Sequence, residues 1–258
     1  MAAVDVDEKS VFSPIRQAPA YMLVAKAIER EIVGGRILPG DAIGTETELA
    51  QQLGVNRSTV REGLRCVEQA GLIQREAGRR FVVTLPDHRQ LADSVSRSLV
   101  LRQVTFREVS ESTRLLETTL TVLAAERRTQ ADLDALSDNI TRSRAVADDP
   151  SAMADIEADF HAIVGAAARN RVLELAREPS GLMIRTATRI IFEHNDVAAP
   201  RVIEAHERLL DALARKDAED AETWIRRHIN DFIKGFQRTG RALDVPIQGL
   251  GPFDTEED

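Results

Sequence analysis

Residues 45–83 read TETELAQQLGVNRSTVREGLRCVEQAGLIQREAGRRFVV, and few folds accommodate that order of signals. Thr45 with Glu48 three residues on is a capping box, which opens a helix by satisfying its orphan N–H groups. Leu49, Ala50 and Leu53 supply the inner face of a short helix that stops at Gly54, a residue tolerant of the left-handed turn. Asn56 then caps a second helix, expected over 57–69, whose apolar stripe is Val60, Leu64 and Val67. Gly71 ends it. Leu72–Arg75 and Arg80–Val83 read as two strands around a turn at 76–79. An amphipathic helix over 21–33, ended by Gly34-Gly35, precedes the whole run.

The outer face of the second helix carries Arg57, Arg61 and Arg65 at i, i+4 and i+8. A small core fixes one side of such a helix, while the other offers guanidiniums to phosphates and guanine edges in a major groove. Ser58 and Thr59, near its start, are short enough to reach the same targets. Gly78 and Arg79 sit at the expected hairpin tip, where backbone and side chain can track phosphate. Residues 18–90 carry ten Lys and Arg against nine Asp and Glu, and residues 91–258 carry 22 against 30. Positive charge is therefore placed locally, on this helix, above an acidic remainder.

From residue 88 to 238 the periodicity is helical nearly throughout, with expected segments at 88–102, 106–128, 130–147, 151–168, 171–193, 199–215 and 217–238. Pro179 is expected to kink or split the fifth of these. The fold class that follows is mostly α: an N-terminal winged helix-turn-helix and a C-terminal antiparallel seven-helix bundle. The expected organisation is a flexible arm (1–17), a reader (18–84), a linker with the first bundle helix (85–104), a helical domain (105–238) and a disordered or draped acidic tail (239–258). The single cysteine, Cys66, rules out an internal disulfide. The polar start and the lack of any apolar run approaching ~18 residues point to the cytoplasm and away from a membrane.

Within the helical part Glu157 and His161 share a face at i, i+4, His206 falls on the sixth segment and His228 on the seventh. Three imidazoles and a carboxylate suit a divalent transition metal such as zinc, nickel or manganese, although spacing across separate helices also fits an ordinary polar interior. Asp155 and Asp159 lie on the wrong face to join His161. His88 and His194 read as surface residues.

The run from Gly35-x-x-x-Pro39-Gly40 through Glu48-Leu49-Ala50, Leu53-Gly54-Val55, Arg57, Val60-Arg61-Glu62 and Leu64 to Gly71-Leu72 resembles the winged helix-turn-helix of the GntR family of bacterial transcription regulators. The resemblance implies DNA contacts at Arg57, Thr59, Arg61 and Gly78. It departs at Thr47-Glu48, where the family often has an arginine, and at Arg80, where a second glycine is common. Arg114-Leu115-Leu116-Glu117, then Glu157-Ala158-Asp159-Phe160-His161, Asn170, Glu204-Ala205-His206 and Arg227-His228 resemble the FCD effector domain of the FadR-type branch. Metal-binding members use an Asp and three His. The resemblance thus implies a metal on Glu157, His161, His206 and His228, with Glu157 one methylene longer than the family's Asp.

Arg114 is a candidate clamp for an effector carboxylate, or else a salt-bridge partner of Glu117. Asn170 is a candidate for ligand contact or for a helix cap. The expected function is a homodimeric regulator, a repressor, on a pseudo-palindromic double-stranded DNA operator, responding to a small organic acid. The alternatives are a metal-free regulator with a merely polar pocket and a metal-dependent hydrolase.

Overall fold

The computed structural model describes residues 18–76, 80–86 and 88–247. The chain divides into two compact units, with the boundary after Asp87.

In the first unit α1 (Ala20–Val33), α2 (Glu46–Leu53) and α3 (Arg57–Gln69) precede a hairpin of β1 (Ile73–Arg75) and β2 (Phe81–Val83). Both hydrogen bonds of the capping box are made: the Thr45 hydroxyl accepts from Glu48 N–H and the Glu48 carboxylate accepts from Thr45 N–H. Gly54 closes α2 at φ 67°, in the left-handed region. The strands pair antiparallel, Ile73 opposite Val83 and Arg75 opposite Phe81. The chain at 40–43 adds to the far edge of β2, with Ala42 bridging Val82 and Ile43 N–H donating to the Phe81 carbonyl. Val24, Ile28, Leu49, Val60, Leu64, Val67, Ile73 and Phe81 close one core. At about 1.5–3 kcal/mol per large buried side chain, this core fixes α3 against the rest of the unit.

The second unit is α4 (His88–Leu101), α5 (Phe106–Arg127), α6 (Gln130–Ala145), α7 (Pro150–Ala167), α8 (Arg171–Glu193), α9 (Ala198–Arg215) and α10 (Ala218–Arg238). Each lies within two residues of its expected segment. The helix starts explain this agreement. Thr105 with Glu108 and Thr129 with Asp132 form capping boxes, Asp149 caps α7 ahead of Pro150, and Asp217 caps α10. Leu120, Leu136, Phe160, Val164, Leu209, Leu213 and Ile225 form one core. Phe106, Met153, Met183, Ile190 and Phe236 form a second.

One expectation needs correction and another is narrowed. α8 is not split at Pro179, which lies inside it. The proline forgoes one helical hydrogen bond, and the packing of α8 against α4, α5, α7 and α10 holds the helix across the gap. Of the two forms expected of the tail, its first part takes the draped one. Residues 243–247 run back along the start of α5: Phe106 and Arg107 donate to the Val245 and Leu243 carbonyls, and Ile247 donates to Val104. Asp244 pairs with Arg107 at 2.7 Å, and Ile247 is buried. The signal missed there was the apolar Leu243, Val245, Ile247 alternation among the glycines and acids. Residues 248–258, like the arm at 1–17, lie outside the described residues.

Candidate DNA-reading surface and metal centre

Asn56 sets the start of α3. Its Oδ1 accepts from Thr59 N–H at 2.8 Å and also from the Ser58 and Thr59 hydroxyls at 2.7 and 2.8 Å. Both hydroxyls are therefore engaged at the cap, and a DNA contact through Ser58 or Thr59 uses the remaining lone pairs or a rotated hydroxyl. Arg57, Arg61 and Arg65 stand exposed along one face, as their spacing requires. Gly78 and Arg79 lie outside the described residues. Two participants were not foreseen. Glu46, the first residue of α2, accepts from Arg61 Nη2 at 2.9 Å and from Arg61 Nε at 3.2 Å. Arg75 on β1 lies 4.0 Å from the other side of the Glu46 carboxylate, its guanidinium over the Phe81 ring.

In the second unit the four-residue ligand set comes together. Glu157 and His161 project from α7, His206 from α9 and His228 from α10. One ligand atom of each lies within 4.8 Å of all the others. His228 Nε2 is 2.9 Å from Glu157 Oε1 and 3.1 Å from His161 Nε2. His206 is fully buried, its ring stacked on Phe160 at 3.5 Å, with Nε2 3.0 Å from Glu157 Oε2. That approach lacks hydrogen-bond geometry. Both His206 nitrogens and Glu157 Oε2 are left buried without a partner. Such orphaned atoms are costly in a folded interior, and a cation between His206 Nε2 and Glu157 Oε2 would satisfy those two. Three imidazole nitrogens and one carboxylate oxygen fit a divalent first-row metal, and the extra methylene of Glu157 still delivers its carboxylate to the cluster. Asp155 and Asp159 pair instead with Arg185 and Arg142.

Two further charged residues support the cluster. Glu117 of α5 accepts from His161 Nδ1 at 2.9 Å, and Arg177 of α8 lies 3.4 Å from the other Glu117 oxygen. Both are buried. A carboxylate behind a ligating histidine fixes the ring and raises its basicity. Gly165 and Gly181 leave room for the guanidinium, since a Cβ at Gly181 would sit 3.1 Å from Arg177 Nη1. The sequence did carry a signal: Glu117 shares a helix face with Leu120, Thr121 and Ala124, all buried. A charge on an apolar stripe calls for a buried partner.

Electrostatics divides the histidines. Burial opposes charge on His161, but the carboxylates of Glu117 and Glu157 outweigh it and push its pKa up to about 10. Burial carries His206 the other way, to about 4, with Glu157 only partly offsetting it. Burial likewise disfavours the Glu157 carboxylate, yet the imidazoles of His206 and His228 hold it well below its ordinary value. Without a metal, the proton on His161 is the cation between the two carboxylates.

Two cavities reach Glu157 and His228. One of about 430 Å³ lies among α8, α9 and α10, with Arg201, Arg227, Lys234 and Arg238 on its walls and Trp224 beside them. The other, about 50 Å³, is bounded by Glu117, His161, Arg177 and Thr113. Arg114 is on the wall of neither. It stands exposed on α5 and donates to Asn230 of α10 at 2.7 Å, while the arginine that meets Glu117 is Arg177. Asn170 spends its Oδ1 on Val172 and Leu173 N–H as the cap of α8. Asn170 thus takes the capping alternative, and Arg114 lies away from Glu117. His194 is exposed, as expected.

Residues 20–83 match the model of the bacterial regulatory proteins of the gntR family, and residues 108–231 match that of the FCD domain. The chain is 27% identical over 212 residues to the HTH-type transcriptional regulator LutR of Bacillus subtilis, covering 80% of this chain and 97% of the relative. It is 25% identical to the galactonate operon transcriptional repressor of Escherichia coli (75% and 86% covered). It is 23% identical to the Glc operon transcriptional activator of the same species (90% and 92%). Among solved structures, a Streptococcus agalactiae GntR protein superposes with a TM-score of 0.60 at 21% identity, covering 83% of this chain and 99% of that one, which supports the shared fold.

Proposed function

We propose that this chain, a transcriptional regulator of the GntR family with an FCD domain, is a homodimeric repressor that senses a small organic acid at a divalent metal held by Glu157, His161, His206 and His228. The observation that carries the reading is the meeting of this ligand set, through Glu157 and His228, with a cavity of about 430 Å³ whose walls carry four cationic side chains against the acids Glu204 and Asp231. A carboxylate ligand entering there meets Arg201, Arg227, Lys234 and Arg238 beside the acids Glu204 and Asp231, and a metal held by the cluster would offer it a further ligating partner. The metal would supply Lewis acidity and a fixed positive charge. The protein supplies the donors, the Glu117–Arg177 support and a dry surrounding.

The reader binds double-stranded DNA through the outer face of α3. Two readers on a twofold-related pair of half-sites suit a pseudo-palindromic operator. Ligand acts by binding one arrangement of the protein better than the other, so its effect on DNA affinity equals its differential affinity for the two. The hydrolase alternative is set aside, because the family and the relatives matched are transcriptional regulators. Those relatives include a repressor and an activator. Repression is proposed on the likeness to the galactonate operon repressor, and a reporter assay on the enriched operator decides its sign.

The test is operator binding by metal-loaded and chelator-stripped protein, against a panel of hydroxy, keto and sugar acids. The operator duplex is first enriched from a random-sequence library. An acid that weakens binding of the loaded protein and leaves the stripped protein unaffected supports the proposal. An identical response with and without metal supports a metal-free regulator.

A further inference from the structure

The geometry points to Glu46 as a positioning residue for DNA recognition, one that fixes the Arg61 guanidinium on the reading face of α3 and couples it to the wing strand. The inference rests on Arg61 reading base edges.

Glu46 sits in the first turn of α2, its side chain only 18% exposed among solvent-facing neighbours. Hydrogen bonding from Arg61 is the main effect holding its carboxyl below the usual range, with Arg57 and Arg75 adding to it. The carboxylate thus stays charged at neutral pH. The Arg61 bond is two-pronged and uses the Nε and Nη2 side of the guanidinium. The Nη1 end is left free, so an end-on approach to the acceptor pair of a guanine remains open. A long exposed arginine has several rotamers of similar energy, and binding DNA with a free one costs side-chain entropy. Held by Glu46, Arg61 has lost much of that freedom beforehand. On its other side the same carboxylate faces Arg75, so one acid ties a residue of α3 to a residue of β1.

An acid set among Arg57, Arg61 and Arg75 on a DNA-facing surface has an electrostatic cost. It repels phosphate on every duplex equally. Its benefit appears only where Arg61 meets its proper base. Glu46 therefore trades general affinity for discrimination, which a merely structural salt bridge does not do. Its removal leaves the α2 cap intact, because Thr45 and Glu48 make that cap without it.

The experiment measures anisotropy binding of the full chain to the duplex enriched from a random library and to a scrambled duplex of equal length. Wild type, Glu46→Gln, Arg61→Ala and the double variant are compared, with melting temperatures as a folding control. Glu46→Gln is expected to bind the scrambled duplex at least as tightly as wild type, and its discrimination should fall about tenfold. In the Arg61→Ala background the same change should alter discrimination by less than about twofold, since Glu46 acts through Arg61. Unchanged discrimination in Glu46→Gln overturns the inference, as does an equal loss with and without Arg61. Unchanged discrimination in Arg61→Ala alone refutes the base-reading role of Arg61, and the two failures are thereby distinguished.

Discussion

Replacing Glu117 by Gln keeps the shape of the support behind His161 and removes its charge. Two charged groups meet at that carboxylate, the His161 imidazole at 2.9 Å and the Arg177 guanidinium at 3.4 Å, and His161 faces Glu157 on its other side. At 3.4 Å and an effective dielectric of about 20, the Arg177 attraction alone is about 5 kcal/mol before desolvation is counted. Stranding a buried guanidinium without its acid costs about 3–5 kcal/mol. Glu117→Gln should therefore destabilise the metal-free protein by roughly 3 kcal/mol, a fall in Tm of about 6–12 °C for a unit of this size. Pairing it with Arg177→Leu should restore a good part of the loss, because the orphaned charge goes with it. Metal affinity should drop about 10- to 100-fold in Glu117→Gln, as expected when a carboxylate behind a ligating histidine is neutralised. Urea denaturation and competition with a chromophoric chelator read the two effects separately. A Glu117→Gln protein within about 0.5 kcal/mol of wild type, or a double variant no more stable than the single, would refute the buried-relay reasoning.

Further outcomes follow from the same geometry. His161 is raised to about 10 from 6.5, so its contribution to the metal-free fold is fully present below pH 6.5 and is lost as pH climbs through about 10. Thermal melts of stripped protein should fall across that window, and a flat or rising profile would contradict the two-carboxylate arrangement. Asn170→Ala should cost about 1 kcal/mol of stability and leave metal uptake and ligand response intact, as for a cap; a lost ligand response would reinstate its sensory role. Arg65→Ala, one turn beyond Arg61, should weaken binding to all duplexes alike and reduce the salt slope by about 1; a sequence-selective loss would assign it to a base instead.

Much of this was legible because local chemistry and tertiary fold agree. Capping pairs such as Thr45 with Glu48 and Thr129 with Asp132 fix helix starts within the sequence itself. Arg57, Arg61 and Arg65 share a face by helical spacing alone. The metal set was different: Glu157 and His161 are neighbours by spacing, but only the fold places His206 and His228 beside them. What escaped was decided by contacts between elements. Arg177 precedes a proline, which drew attention to a break in the helix; packing kept α8 whole and turned that arginine inward to Glu117. Arg114 sits three residues before Glu117, close enough in sequence to suggest a pair, yet its side chain leaves toward Asn230. Nothing in the spacing of Glu46 marks it, and only the fold of α3 and β1 around it shows two arginines converging there.

In the proposed function, Glu157 and the three histidines hold a functional divalent ion. The most direct measurement is native mass spectrometry of gently purified protein beside its His206→Ala variant, with elemental analysis of the same samples. One divalent ion per chain is expected in the wild type and none in the folded variant. A wild-type chain of bare mass that takes up no zinc, nickel or manganese on titration would contradict it, as would a variant that keeps a stoichiometric ion.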